Sequence, residues 1–137
     1  MDSSDAFGNR RCAGATAVTE LVVAEAFSPD LGGRYIKDGP YSGQAFRDAV
    51  LLNRLDRAIQ ENDVLRVNFQ GVSGTPTSFL EEAFGGIIRA RPDWSLEDVL
   101  QHLDLSSGNS ERLSPFMNLA KTYIIRAVAR RLAAAQN

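Results

Sequence analysis

Apolar residues recur along this chain with two different periods, and the switches between them mark its elements. After Ser42, the residues Ala45, Ala49, Leu52, Leu55 and Ile59 fall three and four apart and share one helical face, widened by Phe46 and Val50. Arg47, Arg54 and Arg57 lie largely off that face, and Asn62-Asp63 ends the pattern. Leu65, Val67 and Phe69 then alternate with Arg66 and Asn68, the period of a strand with one buried side, and Gly71 closes it. From Phe79 the helical period returns. Phe79, Leu80, Ala83, Phe84, Ile87 and Ile88 form a broad stripe with Glu81, Glu82 and Arg89 off it, until Pro92 stops the helix. Residues 93–106 fit a helical turn beginning at Ser95 and Asp98, then a strand near 101–106. Ser114-Pro115 opens a last helix, with Ser as cap and Pro at the first helical position. Its buried stripe is Phe116, Leu119, Ala120, Tyr123, Ile124, Ala127 and Val128. Arg126, Arg130 and Arg131 fill its C-terminal half, where cations complement the helix dipole.

Upstream of Ser42 the signals are local and short. Leu21 to Phe27 is a β-leaning run followed by Ser28-Pro29-Asp30 and Gly32-Gly33, and Arg34–Lys37 is a second short extended piece. Together they predict a hairpin. Residues 1–16 are small and polar and read as a mobile tail before a single domain over 17–137. The order β, β, α, β, α, β, α predicts a layered α/β domain around one central sheet.

Composition narrows the function classes. A chain of 137 residues is one domain at about 100–200 residues per domain. The net charge is −2, which gives no global pull toward nucleic acid, and no basic stripe with interleaved aromatics appears. No apolar run approaches the ~20 residues of a spanning helix, so no membrane role is expected. The N-terminus lacks the apolar segment of a signal peptide. The one cysteine, Cys12, permits no intrachain disulfide, and a cytoplasmic home is expected.

Enzyme chemistry finds little support. A Cys–His couple would need Cys12, in the tail, to fold back onto the one histidine, His102, which reads as an ordinary half-exposed residue. His and Cys ligands for zinc do not cluster, and no cofactor is expected. Glu81 and Glu82 are adjacent on a helix, so their side chains should diverge, one a solvated edge and one a cap. Trp94 reads as a lid on the core.

The stretch 71–78 draws the most attention. Gly71, Val72, Ser73, Gly74, Thr75, Pro76, Thr77 and Ser78 lie between a strand and a helix, where free N–H groups can face an anion. The lysine of a P-loop is missing and Pro76 removes one donor, which weakens a nucleotide cradle. Ser78 to Glu81 has the spacing of a capping box, and a Thr75 cap followed by Pro76 is the alternative. Arg34 and Arg47 read first as surface residues, solvated or paired with Asp38 or Asp48. The other use open to them is to bind an anion.

The run "VLRVNFQGVSGTPTSFLEEAFGGIIR", with the upstream "GGRYIKDGPYSGQAFRDAVL", resembles the STAS-like domains of unknown function. These are relatives of the sulfate transporter and anti-sigma factor antagonist domains. The resemblance covers roughly residues 20–130 and implies a STAS-like α/β fold, with a mixed sheet of about four strands packed against helices. Anti-sigma antagonists carry a phosphorylatable serine after a central strand, within Asp-Ser-Ser-Gly. Here Pro76, Thr77, Ser78 and Phe79 take those places, Ser78 by identity. The resemblance thus implies a non-enzymatic, bacterial partner-switching module. A histidine-kinase-like ATPase, acting as anti-sigma factor or serine kinase, would dock on Ser73, Gly74, Thr75, Phe79, Glu81 and Glu82. Ser78 or Thr77 would receive the phosphate. The alternative is a nucleotide- or anion-binding protein using the same loop.

Overall fold

The computed structural model describes residues 17–135, so the expected tail 1–16 and Cys12 lie outside the described residues. Three strands, β1 (Val18–Val22), β2 (Val64–Asn68) and β3 (Leu103–Ser106), form a sheet in the order β1-β2-β3. Both pairings are parallel. The expectation of a mixed sheet of about four strands is corrected to three parallel strands. The reason lies in the connections: both run through helical segments, as parallel neighbours require.

The expected hairpin is absent for a related reason. Only Val18–Val22 is strand; the chain then turns into the short helix α1 (Val23–Ala26), whose Val23 carbonyl accepts from Phe27 and Ser28 N–H at 2.9 and 3.0 Å. Ala24, Glu25 and Ala26 are helix formers, and they override the β-leaning reading of the run. Arg34–Lys37 meets no strand. Ile36–Asp38 is a 3₁₀ turn in which the Asp38 carboxylate accepts from Tyr35 N–H at 3.0 Å. Ile36 is exposed, so no buried face was available to drive pairing.

The other elements form where their periodicities place them. The helix opened by Ser42, however, buries Phe46, Leu51, Leu55 and Ala58, while the expected Ala49 is exposed and Ala45, Leu52 and Ile59 are half-buried, because a π-helical turn shifts the stripe by one residue. A continuous helical rod comprises α2 (Gly43–Phe46), a π-helical turn (Arg47–Leu51) and α3 (Leu52–Glu61). Ser42 caps it, accepting from Ala45 N–H at 3.1 Å. Asn62 ends it in the left-handed conformation at φ 56°, where Asn is tolerated. A second rod comprises α4 (Thr77–Leu80), another π-helical turn (Glu81–Gly85) and α5 (Gly86–Ala90). Then come α6 (Leu96–His102), opened by a reciprocal Ser95–Asp98 capping box, and the long α7 (Ser114–Ala135).

Strand register sorts the sheet into two faces. Leu21, Val67 and Leu105 are lateral neighbours, as are Leu65 and Leu103, and all are buried. Onto them pack Phe46, Leu51, Leu55, Phe79, Phe84, Val99 and Ile124 in one continuous core. The opposite face mixes Val18, Val22 and Val64 with polar pairs: Arg66 donates to Asp104 at 2.8 Å and Asn68 to Glu20 at 2.7 Å. Helices therefore cover the apolar face, and the other carries these polar pairs. His102 is buried, its Nδ1 2.8 Å from the Asp63 carbonyl oxygen, which corrects the half-exposed reading. Trp94 is buried as expected, with the Arg91 guanidinium 4.1 Å above its ring.

Candidate functional site

The seam between the two rods begins with a missing side chain. Gly43 lies against the start of the second rod, and a Cβ there would stand 2.5 Å from the Phe79 carbonyl oxygen. The first open N–H groups of α2 are taken by carbonyls of the preceding loop, Gly43 to Gly33 at 2.9 Å and Gln44 to Arg34 at 3.0 Å. This fixes Arg34 beside the seam. One turn further on, Arg47 leaves the first rod at its π-helical turn and reaches the π-helical turn of the second.

There Arg47 Nη1 lies 2.5 Å from Glu82 Oε2 and 3.1 Å from the Glu82 carbonyl oxygen, while Nε donates to Asp48 at 2.9 Å. Arg34 Nη1 pairs with Glu81 and lies 3.5 Å from Glu82. Arg89 closes the set, 2.8 Å from Glu81 and 3.4 Å from Glu82. The adjacent carboxylates were expected to diverge, one solvated and one capping. Instead both converge on Arg34 and Arg89, and Glu82 is buried. A π-helical turn advances more residues per turn than an α-helix, so neighbours on it meet partners that α geometry would separate. Glycine makes the room: a Cβ on Gly86 would collide with the Arg47 guanidinium, and one on Gly85 would sit 2.7 Å from Glu81 Oε2.

Electrostatics follow from these contacts. Burial opposes the charged form of Arg47, but its bonds to Asp48 and Glu82 outweigh burial and hold it protonated. Burial also pushes the Glu81 carboxyl up, yet hydrogen bonds from Arg89 and Arg34 win, and it titrates below the ordinary glutamate value. A carboxyl whose pKa is depressed on folding adds stability that is fully present above its unfolded pKa and is lost as pH falls through its folded value. The contribution of Glu81 to stability is therefore expected to be full above about pH 5 and to decline from about 4.3 downward. Glu81→Gln should flatten that decline in urea titrations run between pH 3 and 7, and an unaltered profile would remove Glu81 as its source.

The loop feeding this seam is held from both sides. Gly71 turns it at φ 96°. Ser73 N–H donates to Pro29, its hydroxyl donates to Asp30 at 3.0 Å, and Arg112 reaches its carbonyl at 3.2 Å. Thr75 is buried, and its Oγ1 has no hydrogen-bond partner among the described residues. The expected Ser78–Glu81 capping box does not form: helix α4 starts at Thr77, Pro76 occupies the cap position, and Glu81 is engaged by Arg34 and Arg89. The Thr75 alternative fails with it, since that hydroxyl bonds no N–H. Of the two phosphate candidates, Thr77 is exposed and Ser78 half-buried. Phe79 is fully buried and packs on Phe46, so it supports the loop from beneath and offers a partner no surface. Gly74 is half-buried and Ser73 exposed. Arg34 and Arg47 both carry carboxylate partners, so an anion would have to displace Glu81 or Glu82 to reach them.

Sequence reasoning missed Arg89. The signal was present: Glu82 and Arg89 are seven residues apart, two helical turns, with Gly85 and Gly86 between them. Two glycines inside a helix cost about 1 kcal/mol each relative to alanine and point to close approach by another group.

Among the described residues no helix is long and apolar enough to cross a membrane. Comparison with curated proteins and with solved structures gave no match. Comparison with protein families gave one: residues 42–112 match the STAS-like domain of unknown function (DUF4325). That stretch runs from the Ser42 cap to Arg112 on the loop and contains Arg47, Glu81, Glu82 and Arg89, while Arg34, β1 and α7 lie outside it. The match covers just over half of the chain, and the chain belongs to the family of STAS-like domains of unknown function.

Proposed function

We propose that this domain is a non-catalytic, cytoplasmic partner-switching module of bacterial regulation, docking a histidine-kinase-like ATPase on the loop 71–78 and the exposed start of α4. The observation that carries the reading is the placement of Thr77 and Ser78. Both follow the central strand, at the first turn of a helical rod, and each lies four residues before a carboxylate of the seam. Positions four apart share a helical face, so a phosphate at Thr77 faces Glu81 and one at Ser78 faces Glu82.

The seam then supplies a response. A phosphate carries about −1.5 to −2 charges and accepts charge-assisted hydrogen bonds, preferentially from arginine. Arg34 is the partner set on a loop outside the helices, and its side chain is a third exposed. Drawing Arg34 from Glu81 toward the phosphate would move residues 34–41, which carry the exposed Tyr35, Ile36 and Tyr41. Aromatic residues of this kind anchor protein interfaces. Phosphorylation thereby couples a one-residue modification to a docking surface.

Mass spectrometry of the protein recovered from its native cells is expected to find a phosphopeptide within 67–89, modified at Thr77 or Ser78. Thr77→Glu with Ser78→Glu should weaken capture of a histidine-kinase-like ATPase at least about tenfold, the effect of losing one good polar contact. An unmodified peptide under all growth conditions removes the phosphate switch; absence of such an ATPase from pull-downs removes the docking partner.

A further inference from the structure

A second site adjoins the seam and shares Arg89 with it. A cleft of about 400 Å³ opens between α5 and α7, lined by Ile88, Arg89, Pro92, Ala127, Arg130 and Arg131. That volume falls in the range of small-molecule sites. The lining joins an apolar floor (Ile88, Pro92 and Ala127) to three guanidinium groups, with no acidic residue among it. The three arginines differ in how their charge is met. Arg89 is shared with Glu81 and Glu82. Among the described residues Arg131 bonds only carbonyl oxygens, those of Ile88 and Pro92 at 3.4 Å and of Trp94 at 3.2 Å. Arg130 is exposed and has no carboxylate partner among the described residues. Helix α7 as a whole carries Lys121, Arg126, Arg130 and Arg131 and neither Asp nor Glu.

Three carbonyl bonds orient the Arg131 guanidinium without neutralising it, and they leave donors to spare. A fixed cation with unused donors beside an apolar floor is the arrangement that recognises an anionic head on a hydrophobic body. We infer that the α5–α7 cleft binds an amphipathic small-molecule anion, a phosphate or carboxylate carried on an aliphatic or aromatic group. Arg131 and Arg130 hold the head, and Ile88, Pro92 and Ala127 cover the body. The site is independent of the loop 71–78, and it depends on α7, which lies outside the matched family stretch.

Titration of the full chain with octyl phosphate, kept below its micellar concentration, tests this directly. Saturable binding is expected, with amide shifts at Ile88, Ala127 and Arg131 and a change in the fluorescence of Trp94, the one tryptophan, whose carbonyl Arg131 holds. Octylamine and inorganic phosphate should each bind at least about tenfold more weakly, because each lacks half of the recognition. Arg130→Glu, on an exposed position that leaves the core intact, should weaken octyl phosphate about tenfold, as loss of one charge-assisted contact does. Ala127→Leu should close the floor and reduce binding with the urea midpoint as a folding control. Absence of saturable binding, equal binding of octylamine, shifts mapping elsewhere, or indifference to Arg130→Glu would each overturn the inference.

Discussion

Replacing Phe84 with alanine is expected to remove about 3–5 kcal/mol of folding stability, the largest single-residue effect in the domain. Phe84 is fully buried in the second π-helical turn. Its ring lies 6.5 Å from that of Phe46 on α2 and 6.1 Å from that of Phe69, the residue following β2. One side chain thus ties the second rod to the first and to the central strand. The neighbours cannot close over the gap, because Gly43 already holds α2 against Phe79 at the limit of contact. The removed ring leaves a cavity, and its lining loses dispersion partners as well as the transfer term. For a domain with about 5–15 kcal/mol in total, that is a large fraction. Urea unfolding should show a lower midpoint at unchanged slope, and Phe84→Leu should recover part of the loss. A cost below about 1.5 kcal/mol would mean that the second rod slides inward, and that the loop 71–78 does not rest on a rigid platform.

Elements with a strong internal period were legible in the sequence, and elements made by distant partners were not. Leu65, Val67 and Phe69 marked β2 because alternation is local, and all three are buried. The same logic placed the second rod by Phe79, Ala83 and Phe84 and found the first rod, but it chose the wrong stripe there: of Ala45, Ala49, Leu52, Leu55 and Ile59 only Leu55 is buried, and Leu51 and Ala58 were missed. Strand β1 was misjudged at its end because a short apolar run carries no period, and helix and strand cannot be told apart by pattern there. Its partner is β2, more than forty residues away, in a parallel register that no local turn signal encodes. The π-helical turns were invisible for a different reason: they shift hydrogen bonds by one residue without altering which residues are apolar. The site depended on them. With α geometry Glu81 and Glu82 point apart, and only the wider turn brings both to Arg34 and Arg89. Ser42 was read correctly as a cap because its task is met within three residues. Ser78 was read wrongly because Glu81, three residues on, is claimed by arginines from elsewhere in the chain.

Removing one partner of the Arg47–Glu82 pair is expected to cost about 3 kcal/mol, and removing both partners much less than the sum. Both side chains are about nine-tenths buried, so each charge was taken out of water to reach the other. Glu82→Ala leaves Arg47 with Asp48 and a backbone carbonyl, and Arg47→Ala leaves Glu82 with Arg34 and Arg89 at 3.4–3.5 Å. Those remaining contacts hold the loss near the low end of the 3–5 kcal/mol typical for a broken buried pair. Arg47→Met with Glu82→Leu should regain most of it, since an apolar pair of similar volume is often as stable as the ions it replaces. A double-mutant cycle in urea is then expected to give a coupling energy of about 1–3 kcal/mol. Repeating the cycle at high salt should change it little, because buried pairs are weakly screened. The apolar double variant also separates two roles of the seam. It keeps the rods together while removing the Glu82 carboxylate, four residues from Ser78. Under the proposed function, docking through the loop 71–78 should then change in a protein whose stability does not. Single-variant costs under about 1 kcal/mol would place the pair among ordinary surface ion pairs, and Gly43 and the phenylalanines would then hold the seam alone.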